Sequence, residues 1–408
     1  MLPNVFSRLQ IRGKSLLPIV QGGMGVGVSA HRLAGTVARL GAVGTIAALD
    51  LRRHHPDLME RTGSSRHKAT IDAANLLALD REVQAARACA EGFGLVAVNV
   101  MHAVSQYSAL VRRACASGAQ AVVVGAGLPL ELPELTVDYP DVALIPIVSD
   151  ARAIELLLKK WMGKNRLPDA IVIENPRFAA GHLGAASIAA TDAPQFGFAE
   201  VLPATLALFK RLGIESENIA LIAAGGIHRH GQVRELFDMG ACAIQLGTPF
   251  AVTEEGDAHI KFKHLLVDAA PDDIVTFMSG PGLPARAVRS PWLLNYLARE
   301  SKLQRQAKAR PCTVGSDCLL QCGWRDGSAK AGQFCISTQL AFALAGDTKR
   351  GLFFRGSEPL PFGPAIRPVH ELITYLLSGL RPGLVRERSH ANGLPLASHY
   401  ESCNATSA

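Results

Sequence analysis

The strongest constraint on the fold is a rhythm. Eight short, almost wholly apolar runs recur along the first 250 residues: Leu17–Val20, Ala42–Ala47, Leu95–Val100, Ala121–Val124, Val142–Val148, Ala170–Glu174, Ile219–Ala223 and Cys242–Leu246. Continuous apolar runs of this length suit parallel strands buried on both faces. Helical patterns lie between them. Ser29 is the expected N-cap of a helix carrying Leu33, Val37 and Leu40, and Gly41 stops it. Tyr107, Leu110, Val111 and Ala114 repeat the spacing, Asp150 opens a helix with Ile154, Leu157 and Leu158, and Val201–Leu212 ends at Gly213. A last helix carries Val233, Leu236 and Phe237 and ends at Gly240. Eight β-then-α units predict a closed (β/α)8 TIM barrel. A doubly wound open sheet is the competing architecture. The barrel is preferred on the count, and because glycine-rich turns follow runs one, seven and eight, whose ends meet on one rim of a barrel.

A barrel of about 250 residues does not use up the 408 of this chain. The expected division is a barrel over 1–285, a mostly helical appendage over 286–380 and a loose tail over 381–408. Residues 50–75, with His54, His55 and Pro56, read as a polar insertion that could serve as a lid. Hydrophobic residues are 48% and charged ones 19%, which excludes a mostly disordered chain. No apolar run is long enough to span a membrane, and residues 1–13 lack a signal-type apolar stretch. A cytoplasmic protein is therefore expected. The net charge is +7, and residues 286–310 hold most of the excess: Arg286, Arg289, Arg299, Lys302, Arg305, Lys308 and Arg310 against Glu300. Such a stretch is a solvated helix face, or a dock for an acidic partner or a phosphorylated cofactor. It lacks the aromatic interleaving expected of a nucleic-acid site.

Of eight cysteines, Cys89, Cys115 and Cys242 sit singly in helix or strand patterns, and Cys403 falls in the tail. Cys312, Cys318, Cys322 and Cys335 cluster with spacing C-x5-C-x3-C-x12-C. In a chain without a secretion signal this reads as a metal site, for zinc or an iron–sulfur cluster, before it reads as disulfides. Reduced thiols packed in a helical cap are the plainer alternative.

Run one leads into Gln21-Gly22-Gly23-Met24-Gly25, where missing side chains let backbone approach a flat ligand. Run seven ends in Ala224-Gly225-Gly226-Ile227 and run eight in Gln245-Leu246-Gly247-Thr248. Loops after strands seven and eight of a barrel are a recurrent phosphate site, so Gly225, Gly226, Gly247 and Thr248 are candidate phosphate contacts. Asn99, at the end of run three, is placed to hydrogen-bond a polar ring edge. Run six leads to Ala180-Gly181-His182, and a histidine among small residues on the same rim is a candidate acid–base group.

Together Gln21-Gly22-Gly23-Met24, Ala180-Gly181-His182, the two glycine loops and Ser279-Gly280-Pro281-Gly282-Leu283-Pro284-Ala285-Arg286 resemble the nitronate monooxygenase family, formerly called 2-nitropropane dioxygenases. That family includes flavin-dependent enoyl-acyl-carrier-protein reductases and NAD(P)H:quinone reductases. The resemblance covers about residues 15–295 and implies a barrel holding FMN non-covalently. It implies cofactor contacts at Gly22, Gly23, Met24, Asn99, Ala180, Gly181, Gly225, Gly226, Gln245, Gly247 and Thr248, with His182 as base toward the substrate. Ala180 stands where the family usually has glycine, and Phe178 where it often has an acid. His228-Arg229-His230-Gly231 replaces its usual continuation after the Gly-Gly-Ile loop, and the two histidines read as surface or anion contacts rather than a metal pair. Cysteine-bearing tails followed by a stretch like Gly351-Leu352-Phe353-Phe354-Arg355-Gly356-Ser357 occur in a subset of the family.

The leading expectation is an FMN-dependent oxidoreductase that oxidises a small molecule, an alkyl nitronate, with oxygen. The alternative is an NAD(P)H-dependent reductase of a quinone or an enoyl thioester, with the basic stretch serving an acidic carrier protein or the nucleotide. A non-catalytic phosphate binder is the third. Aldolase-type barrels would need a lysine or paired acids at strand ends, and Glu174 is the only acid found there.

Overall fold

The computed structural model describes residues 2–381. Cys403 and all but the first residue of the expected tail lie outside them. The eight apolar runs form eight strands, each within two residues of its expected ends. They are β1 (Ile19–Gln21), β2 (Val43–Ala47), β3 (Leu95–Met101), β4 (Ala121–Gly125), β5 (Ala143–Val148), β6 (Ala170–Glu174), β7 (Ala220–Ala224) and β8 (Ala243–Leu246). Each pairs in parallel with the next, and β8 closes on β1 through Ile244 opposite Ile19 and Leu246 opposite Gln21. The fold is a (β/α)8 barrel.

Side-chain alternation builds the barrel interior. Val20, Val43, Ala97, Val123, Ile145, Val172, Ile222 and Ala243 point inward and pack together. Their intervening neighbours, such as Ile171, Ile173, Leu221 and Ile244, face the helices. The β1–β2 ladder has a single register pair, Val20 opposite Val43. The fully buried Gln21 side chain bridges that gap: its Oε1 accepts from Thr45 N–H at 2.8 Å and its Nε2 donates to Thr45 O at 3.1 Å. An antiparallel hairpin, Leu9–Ile11 with Lys14–Leu16, plugs the N-terminal end of the barrel with Leu9, Ile11 and Leu16.

Three expectations change. The helix after β1 runs from His31 to Arg39, and Ser29 does not cap it. The Ser29 hydroxyl accepts from Met24 N–H at 2.8 Å instead, pinning the glycine loop. The carboxylate of distant Asp257 takes the capping role, accepting from Ala30 N–H (2.8 Å) and Leu33 N–H (3.2 Å). The stretch 50–75 is packed structure. It forms a 3-10 turn (Leu51–His54), a helix (Pro56–Thr62) and the start of a long helix (Lys68–Ala90). Buried Arg52 ties it together, donating to Asp50 at 2.8 Å and Thr62 Oγ1 at 2.7 Å. Last, the expected division between 285 and 286 falls inside a strand, Pro284–Val288. The last helix among the described residues, Val369–Ser378, packs on helix His230–Asp238 in one hydrophobic cluster with β6, β7 and β8. The appendage thus completes the barrel's outer ring instead of forming a unit apart.

Candidate active site

The C-terminal rim of the barrel opens into a cavity of about 600 Å³. Its floor is the uppermost inward position of seven strands or strand ends: Gly22, Asn99, Gly125, Ile147, Glu174, Ala224 and Gln245. Asn99, Glu174 and Gln245 are the only polar members of this layer. The cavity brings together all twelve residues that the sequence points to for cofactor and catalysis: Gly22, Gly23, Met24, Asn99, Ala180, Gly181, His182, Gly225, Gly226, Gln245, Gly247 and Thr248.

The glycines form a cradle that side chains would fill. A Cβ on Gly23 would lie 2.4 Å from Asn99 Cβ, and one on Gly22 would meet the Gln245 side chain at 3.3 Å. Gly225 and Gly226 have φ of +101° and +77°, a backbone region that favours glycine, and they turn the chain away from β7. Phe178 lies over this turn, 2.7 Å from where a Cβ of Gly226 would be. The aromatic ring, where the resemblance leads one to expect an acid, therefore packs against this glycine turn. The ring nitrogens of His228 and His230 sit 3.0 Å from Gly226 O and 2.9 Å from Leu376 O, so both histidines tie backbone segments together.

His182 is held by a small antiparallel sheet. Gly181–His182 pairs with Pro284–Val288, which pairs in turn with Ile274–Met278. Ala285 lies opposite His182, and Arg286 opposite Gly181. The Arg286 guanidinium is buried and donates to Ala179 O at 2.5 Å and Pro176 O at 3.2 Å, fixing the loop that carries the histidine. The sequence places Arg286 in a solvated basic stretch, which the structure corrects. His182 Nε2 is buried with no hydrogen-bond partner, and the ring meets Phe354 edge-on at 5.7 Å between centroids. Burial pushes its pKa down to about 4, so the imidazole is neutral near pH 7. Burial acts oppositely on Glu174, whose pKa rises to about 7.

The roof of the cavity is absent from the sequence reading. It comes from the appendage: Leu319, Ile336, Leu340, Leu352 and Phe354 all face the cavity. The segment 351–360 lies across the rim, with Val288 N–H donating to Phe353 O (2.8 Å) and Gly356 N–H to Thr248 Oγ1 (3.1 Å). The stretch Gly351–Ser357 was visible in the sequence as a feature, but nothing local said where it would dock.

The expected metal site at Cys312, Cys318, Cys322 and Cys335 is not formed. Among the described residues no group of three or more His, Cys, Asp or Glu side chains is arranged to hold a metal ion. The four free cysteines are partly buried neighbours. The Cys318 thiol is pushed up to about 12, by burial first and then by the other three. The Cys335 Sγ accepts from the Thr338 hydroxyl at 3.2 Å, and the Cys318 carbonyl from Ser105 N–H at 3.0 Å.

The family model for nitronate monooxygenase matches residues 11–379. The chain belongs to the nitronate monooxygenase family. The match takes in the appendage as well as the barrel. A curated relative, a probable nitronate monooxygenase of Staphylococcus saprophyticus, is 28% identical over 124 residues, which is 30% of this chain and 33% of the relative. Two solved structures share the fold along nearly their whole length. FabK from Thermotoga maritima has a TM-score of 0.61 at 22% identity, covering 91% of this chain and 95% of its own. Nitroalkane oxidase from Streptomyces ansochromogenes has a TM-score of 0.60 at 19% identity, covering 92% and 97%. Membership supports the expected FMN-dependent oxidoreductase chemistry. No helix among the described residues is long and apolar enough to cross a membrane.

Proposed function

We propose that the protein is an FMN-dependent nitronate monooxygenase. The observation that carries this reading is that His182, whose Nε2 is buried with no hydrogen-bond partner, lines a cavity whose glycines form a flat cradle. The residues present fit FMN: Gly22, Gly23 and Asn99 beside the ring, and Gly225, Gly226, Gly247 and Thr248 at the phosphate, where backbone N–H groups suit an anion. When bound, FMN supplies the redox chemistry between the substrate and oxygen. The protein positions the substrate, excludes water and manages one proton. His182 is a weak base at this depth, so it suits a substrate that arrives already as the nitronate anion better than one it must deprotonate. Its neutral ring holds the nitro oxygens by hydrogen bonding, and the apolar roof strengthens that bond by keeping water out.

The test is an anaerobic visible spectrum of the FMN-loaded protein with ethyl nitronate, NADH or NADPH added in turn. Bleaching by the nitronate alone supports this reading. Bleaching by a reduced nicotinamide moves the assignment to the second reading, a flavin reductase of a quinone or an enoyl thioester. One observation favours that alternative: Arg299, Lys302, Arg305 and Lys308 are exposed, with no ion pair among the described residues. They form a face suited to an acidic carrier protein or a nucleotide phosphate.

A further inference from the structure

The cavity floor holds one acid that neither catalysis nor phosphate binding uses. Inward-facing positions on β6 are Ala170, Val172 and then Glu174, so alternation aims the carboxyl up the barrel axis into the cavity. It has no hydrogen-bond partner and no ion pair among the described residues. Its floor neighbours are amides. Gln245 also leaves its side chain unpaired, while Asn99 donates to Val123 O at 3.3 Å and keeps its Oδ1 beside Gly23. Three polar side chains on one floor, two of them unpaired, are unusual in a layer that barrels ordinarily fill with apolar residues.

We propose that Glu174, together with Gln245, is the hydrogen-bonding floor for the polar edge of the flavin ring, and that the charge on Glu174 sets how tightly the ring is held. This rests on the flavin reading above and concerns the ring, not the reaction. The protonated carboxyl is the binding form, because it donates to a ring acceptor without placing a further anion in the cavity. The groups lining the cavity offer it no cation. Asp150, just beyond β5, and Glu358, on the segment crossing the rim, are carboxylates lining the same space. β7 and β8 contribute no ionisable side chain to the cavity, and His182 is neutral. Burial without a cation keeps the proton on Glu174 up to about pH 7.

The test is a fluorescence titration of the apoprotein with riboflavin, which lacks the titrating phosphate, and in parallel with FMN, between pH 6 and 8.5. For the wild type, the riboflavin dissociation constant is expected to rise about tenfold per pH unit above the carboxyl's pKa. Glu174→Gln, neutral at every pH, keeps the low-pH affinity and removes the rise. A wild type that is flat, or a Glu174→Gln variant with the wild-type slope, overturns the assignment. Circular dichroism checks folding. If Glu174→Gln does not fold, Glu174→Asp must shift the midpoint of the pH step, and an unmoved midpoint overturns the assignment equally. Failure of folded wild type to bind either flavin at any pH overturns the flavin reading itself, and this inference with it.

Discussion

His182 and Glu174 face the same cavity, and the same burial drives their pKa values to about 4 and about 7. Burial without a partner thus leaves His182 neutral near pH 7 and brings Glu174 to the middle of its titration there. For His182→Ala, which removes the hydrogen-bond donor, the expected result is a loss of about 10²–10³-fold in kcat/KM for a nitronate, with flavin content unchanged. Wild-type kcat/KM should show no acidic limb from this group until the pH approaches 4, and a pH–rate profile checks that. Gly23→Ala belongs to the same scale. Its methyl would enter Asn99, 2.4 Å from that residue's Cβ. The cost is about 1–3 kcal/mol of stability, together with lost FMN, readable as a lower Tm and colourless protein. Residues like these were legible in the sequence because glycine and histidine at strand ends have few other uses. Glu174 was seen only as a lone strand-end acid, since its isolation is a property of what surrounds it.

Elements explain what holds these residues in place. Strand Pro284–Val288 carries His182 as its antiparallel neighbour, and Arg286 on that strand grips the preceding loop at two carbonyls. Arg286→Ala leaves two buried carbonyls unsatisfied, a cost of about 1–3 kcal/mol each at most. It should lower kcat more than it raises KM, with partial rescue in Arg286→Lys. Behind the glycine loop, Glu82 on helix Lys68–Ala90 is buried between His31 (2.8 Å) and His55 (3.0 Å). Hydrogen bonding to Glu82 raises the His31 pKa above 6.5; for Glu82, burial pushes upward but the two histidines outweigh it, and its pKa falls far below 4.5. The His31 contribution is therefore whole below pH 6.5 and fades as pH rises through its folded pKa. The Glu82 contribution is whole above pH 4.5 and fades as pH falls toward its folded pKa. The Tm gap between wild type and Glu82→Gln should be widest between these limits and narrow as pH rises through the folded His31 pKa. Sequence reading gave the strands and most helices, because periodicity is local. It missed the Asp257 cap at Ala30 and the grip of Arg286, because both join segments more than 100 residues apart.

At the scale of the whole molecule the barrel and appendage share their core. Leu352 and Phe353 are fully buried, and helix Val369–Ser378 fills a place in the barrel's outer ring. Limited proteolysis should release no stable 1–285 fragment, and thermal unfolding should show a single transition; two separate transitions would restore the division read from sequence. The barrel was legible from its eight runs, while the roof was not, since no local pattern tells a segment which rim it will cross. That roof has a consequence for how the protein is made. Gly22–Met24, at one end of the cavity, leave the ribosome long before Phe354, at its roof, and domains fold as units during synthesis. Until the segment 351–360 is released, the rim stays open to water and to any cofactor caught there. The working site is therefore sealed only when that segment has emerged, and a ribosome that stops short of residue 351 yields a pocket without a lid.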